Sequence, residues 1–137
     1  MKKNYLIKLW ILSLVVLSYG CGIKQTHDSI SFNNMSDFVV YAQYSPQKET
    51  IKMTNKGSHS GFTLFSYDKD NEGISDAEFL AKTQNLSIFI IQNNDTIYAD
   101  QSKYNSMDKW QRHVAYDMDI RFNQFWLEIT NDFFAEK

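Results

Sequence analysis

The chain has 137 residues with a single proline, a single cysteine and five glycines, which excludes collagen-like, linker-rich and disulfide-stapled classes. Fourteen basic side chains stand against sixteen acidic ones, a formal net charge of −2. No lysine or arginine cluster follows residue 21, so a nucleic-acid partner, which would need a basic face, is not expected.

Met1 to Cys21 has the order of an export signal: Lys2, Lys3 and Lys8 give a positive start, Leu9 to Leu17 an apolar run, and Gly20 a small residue before the lone cysteine. The apolar run is about half of the ~20 residues that a membrane-spanning helix needs, so cleavage is expected rather than retention. Ser18-Tyr19-Gly20-Cys21 resembles a lipobox, where bacterial processing attaches diacylglycerol to the cysteine sulfur and cuts before it. Lipidation of Cys21 would also occupy a thiol that has no disulfide partner in an oxidising compartment. At roughly 0.8 kcal/mol per buried CH₂, several acyl chains would hold the domain on a lipid membrane. The expected organisation is a lipoprotein signal peptide over 1–20, a polar lipidated tether over 21–29 and a single globular β-rich domain over 30–137. Loss of the first twenty residues leaves eleven basic against sixteen acidic side chains, a net charge of −5.

Ile30-Ser31-Phe32 alternates apolar and polar, residues 33–37 are turn-rich, and Phe38 to Tyr44 is β-branched and aromatic up to Pro46, the pattern of a hairpin or meander. Thr50 to Thr54 and Phe62 to Tyr67 read as two further strands. Ser75 and Glu78 have the spacing of a capping box, which predicts a short helix over 76–83. Leu86 to Gln92 is the most hydrophobic run after the signal, and with Asn93-Asn94-Asp95 turning into Thr96 to Ala99 it predicts the sheet's core hairpin. Ser106 to His113 suits a second short helix and Phe125 to Thr130 a last strand. The predicted fold is mostly β: a small antiparallel sheet or sandwich with one or two short helices.

The lipobox, the opening Phe32-Asn33-Asn34-Met35-Ser36-Asp37, the late strand pair around Ile88 to Ile97 and the closing aromatic strand together resemble small uncharacterised lipoproteins of Bacteroidota. The resemblance implies an exported lipoprotein and carries over no catalytic residue. Gly22 after the cysteine, in place of an aspartate resembling an inner-membrane retention signal, points to the outer membrane. Gly22 to His27 lacks the acidic cluster with which some lipoproteins of that phylum reach the cell surface, which leans towards the periplasmic face. Asp28-Ser29-Ile30 and Asp95-Thr96-Ile97 resemble the O-glycosylation acceptor of that phylum, with Ser29, in the expected tether, the better acceptor and Thr96 the second.

Asp68 to Phe79 resembles the first half of an EF-hand calcium loop: Asp68, Asp70 and Glu72 fall at ligand positions and Gly73 at the turn, while Glu78 stands one residue short of the bidentate position. A solvated acidic loop leading into a capped helix accounts for the same residues, and calcium stays the minor alternative. No catalytic residue is identified. His27, His59 and His113 stand apart without metal-ligand spacing, and Ser58-His59-Ser60-Gly61 lacks the frame of a nucleophile elbow. Asp117 and Asp119 would share one side of a strand. Aromatic residues crowd the last third of the chain; most are expected in the core, with Trp110 and Trp126 as candidate binding aromatics. The expected function is a non-enzymatic binding or accessory domain of the cell envelope, its partner an envelope protein or glycan. A periplasmic inhibitor or immunity-like protein and an envelope-polymer hydrolase are the alternatives.

Overall fold

In a computed structural model, which describes residues 22–67 and 72–134, the chain forms two four-stranded sheets packed face to face. The signal segment, Cys21, Asp68 and Asp70 lie outside the described residues. One sheet has the order β4-β1-β8-β7, built from β1 (Gln25–Asn34), β4 (His59–Tyr67), β7 (Gln111–Asp117) and β8 (Ile120–Ile129). The other has the order β3-β2-β5-β6, from β2 (Val40–Tyr44), β3 (Glu49–Met53), β5 (Leu86–Gln92) and β6 (Asp95–Tyr98). All neighbours are antiparallel except β1 and β8, which pair in parallel along ten residues at the centre of their sheet.

Alternation decides what each strand buries. In β1, Ile30 and Phe32 point inward, as do Phe125, Leu127 and Ile129 of β8, against Val40, Ala42, Met53, Leu86, Ile88 and Ile90 of the opposite sheet. The helix α1 (Asp76–Thr83) closes one flank: Phe79 stacks on Phe125 with ring centroids 3.8 Å apart and meets Trp110 edge-on at 4.9 Å. The capping box forms as its sequence predicts. Ser75 Oγ accepts from the Glu78 backbone N–H while Glu78 Oε2 accepts from Ser75 N–H at 2.9 Å, so two donors at the helix start are satisfied. The Asn93-Asn94 turn is equally local, with both residues at positive φ, 52° and 66°, as a two-residue hairpin loop requires.

Several expectations are corrected. The domain begins at Gln25, not Ile30: Thr26 and Asp28 are fully buried, and residues 25–29 are sheet rather than tether. Residues 30–32 and 38–44 do not form a hairpin but belong to different sheets, because Asn34 organises a crossover between them. Its buried side chain accepts from Ser36 N–H and Oγ at 3.0 and 2.6 Å and donates to the Phe38 carbonyl at 2.8 Å. The second helix is a single 3-10 turn over Met107–Lys109, after which Gln111 to His113 enter β7, where pairing with β8 outweighs helix propensity. β6 is an exposed edge rather than half of a core pair. Asp117 ends β7 and Asp119 lies in the β7–β8 turn, so they do not share a strand side.

Candidate functional site

The same alternation that fills the core sends a second set of side chains outward from the β4-β1-β8-β7 sheet. On β1 these are His27, Ser29, Ser31 and Asn33, and on β8 Phe122, Gln124, Trp126 and Glu128, registered pairwise in that order. β4 places Ser66, Thr63 and Gly61 beside His27, Ser29 and Ser31, the register keeping this face through a bulge between Asp28 and Ser29. β7 sets Gln111 beside Trp126 and His113 beside Gln124.

All three histidines of the chain therefore meet on one face, although they lie far apart in sequence. His27 stacks on Phe122 with centroids 5.5 Å apart and shares a hydrogen bond of 2.7 Å between its Nδ1 and Ser66 Oγ. His59 and His113 flank Trp126, with centroids at 6.5 and 6.0 Å, and Trp126 Nε1 donates to Gln124 Oε1 at 3.2 Å. Two adjoining depressions result. One, of about 360 Å³, is lined by His27, Ser29, Ser31, Gly61, Thr63 and Phe122 among others; the other, of about 320 Å³, by His113 and Trp126, with Gln124 lining both. No lysine, arginine, aspartate or glutamate lines either one among the described residues. At Gly61, which lines the first one, β1 and β4 approach so closely that a side chain would collide with the Ile30 carbonyl.

The residues singled out in the sequence fall elsewhere for the most part. Trp126 is half-buried on this face, but Trp110 is in the core, 6 % exposed, where its Nε1 donates to the Tyr104 carbonyl at 2.8 Å. Ser29 lies half-buried in a central strand rather than in a tether, whereas Thr96 is exposed on the edge strand β6. Of the acidic loop, Glu78 has its carboxylate engaged in the helix cap, and the Glu72 carbonyl accepts from Asn123 Nδ2 at 3.4 Å and Arg112 at 3.3 Å. No group of three or more His, Cys, Asp or Glu side chains is arranged to hold a metal among the described residues.

Next to the Glu72 carbonyl is a polar node that sequence reading missed. Asp28 and Asn123, strand neighbours and both fully buried, join through Asn123 Nδ2 donating to Asp28 Oδ1 at 2.8 Å, and Asp28 Oδ2 accepts from Ile74 N–H at 3.1 Å. The node ties the segment after the acidic loop to the inner face of the sheet. Burial, with the Asp28 and Glu78 carboxylates behind it, pushes the nearby Tyr67 phenol above its ordinary value.

The signal for the outer face was present but short of its range: the alternation in Ile30 to Phe32 extends back through His27-Asp28-Ser29 without interruption. No protein-family model, curated protein or solved structure matches the chain.

Proposed function

We propose that this chain is a lipid-anchored domain of the cell envelope, tethered through Cys21 on the periplasmic side of the outer membrane, that works by binding a ligand on the outer face of the sheet containing β1 and β8. The anchor is supported by the export-signal pattern ending at the lone cysteine. The binding role rests on one observation: Phe122, Trp126 and three histidines converge on a solvent-facing surface whose reverse side already fills the core, so core packing does not account for them. Only four residue steps separate Cys21 from Gln25, a reach of at most ~14 Å, so the anchor sets the His27 and Phe122 end of the face near the bilayer and the Trp126 and His59 end away from it.

Intact mass and membrane fractionation of the native protein, against a Cys21→Ala variant, test the anchor. The expected result is a lipid-sized mass addition and membrane association in the native protein, both lost in the variant. An unmodified protein in the soluble fraction overturns it.

A further inference from the structure

We infer that the outer face of the β4-β1-β8-β7 sheet takes a neutral oligosaccharide, with a sugar ring laid against Trp126 and its hydroxyls received by the polar side chains around it; this rests on the binding-domain reading above. A pyranose has an apolar C–H face and a rim of hydroxyls that both donate and accept. The lining matches both properties. Trp126 and Phe122 supply flat apolar surface, and Ser29, Ser31, Thr63, Gln124 and the histidines are side chains that donate and accept together. Gln124 sits at the junction of the two depressions and spends its Oε1 on Trp126, which leaves its amide NH₂ to donate.

Charge separates this ligand from the alternatives. A polyanionic glycan or nucleic acid would call for lysine or arginine, and neither depression is lined by one among the described residues. An extended peptide gains affinity from main-chain hydrogen bonds at a sheet edge, whereas this surface is centred on β1 and β8, the two inner strands. Size agrees as well. At about 3.3 Å per residue, the run from Phe122 to Trp126 is ~13 Å long, so the ligand lies along the strands as a short chain rather than in a single-ring hole. Each depression lies near the lower end of the range of small-ligand sites, about 300 Å³.

The test is titration of the full chain, held in a non-glycosidic detergent, with neutral gluco-, manno- and N-acetylglucosamine oligosaccharides by calorimetry, with heparin and polygalacturonate as charged comparators. Saturable, salt-insensitive binding of a neutral oligosaccharide is expected. Trp126→Ala and Gln124→Ala should each weaken it about tenfold or more, about 1.4 kcal/mol. Trp126→Phe, which keeps a ring, should recover part of the loss, and Tyr98→Ala, exposed on the opposite sheet, should bind like the native chain. Unchanged melting transitions in the variants separate lost binding from lost fold. Failure of every neutral oligosaccharide, preference for the charged polymers, or native-like binding by Trp126→Ala and Gln124→Ala overturns the inference. A photo-crosslinker at Ser31 distinguishes the two readings: crosslinking to an envelope protein without saccharide binding removes the saccharide and leaves the binding face, while neither result removes both.

Discussion

Gly73 and Gly57 both adopt a φ of +85°, a conformation that an L side chain enters only with strain, yet their surroundings differ. A methyl group on Gly73 would collide with the buried Asn123 amide and crowd Asp28, whereas around Gly57 there is open space. Gly57→Ala should therefore lower stability by about 1 kcal/mol, the backbone penalty alone. Gly73→Ala adds overpacking against the Asp28–Asn123 pair and should lower it by about 2–4 kcal/mol. Urea unfolding of the two variants checks this, and equal midpoints would mean that the node yields to the added methyl. Gly73 stands at a turn position in the sequence, but the buried pair it packs against was not legible in the residues themselves. Asp28 and Asn123 are 95 positions apart, and a short polar side chain on a strand looks the same in sequence whether it faces water or a buried partner.

At the scale of single elements the sequence was a better guide, because caps and tight turns are written within a few residues. α1 occupies the predicted span with the predicted cap, and Ser75→Ala should cost about 1 kcal/mol. Glu78 carries the pH dependence of that cap: the Ser75 backbone N–H, then its hydroxyl, hold the Glu78 carboxyl below its ordinary value of 4.5. Asn131 does the same for Asp37, Ser106 for Asp108 and Lys103 for Asp132, each below 3.8. A depressed folded-state value means that the stabilisation is complete above the ordinary value and is lost as pH falls through the folded one. The melting temperature should accordingly hold above about pH 5 and decline below about pH 4. Glu78→Gln should melt lower at neutral pH and lose less on acidification, and an acid limb as steep as that of the native chain would contradict the assignment. Where elements were misread, the cause was tertiary. Residues 106–113 have tolerable helix propensity, but Trp110 is drawn into the core against Phe79 and Phe32, and the following residues pair with β8.

At the scale of the whole molecule, β1 is the inner strand that joins β4 to β8 and so holds its sheet together. Deleting residues 1–23 removes no part of β1 and should leave a cooperative unfolding transition. Deleting 1–29 takes half of the strand together with Thr26 and Asp28, and should abolish that transition, a difference that circular dichroism melts would reveal. A stable fold after the longer deletion would restore residues 25–29 to the tether. The sequence by itself determined the β-rich class, the capped helix, the Asn93-Asn94 turn and which side chains of most strands are apolar, because each depends on period and spacing within one segment. Only the tertiary structure decided which sheet each strand joins, that β1 and β8 run parallel, that Trp110 is core while Trp126 faces out, and that three scattered histidines share a surface. The physical reason is that alternation gives a strand two faces but does not specify its neighbours. Those are chosen by complementarity between segments as far apart as Gln25 and Ile120, and a site spread across four strands exists only once that choice has been made.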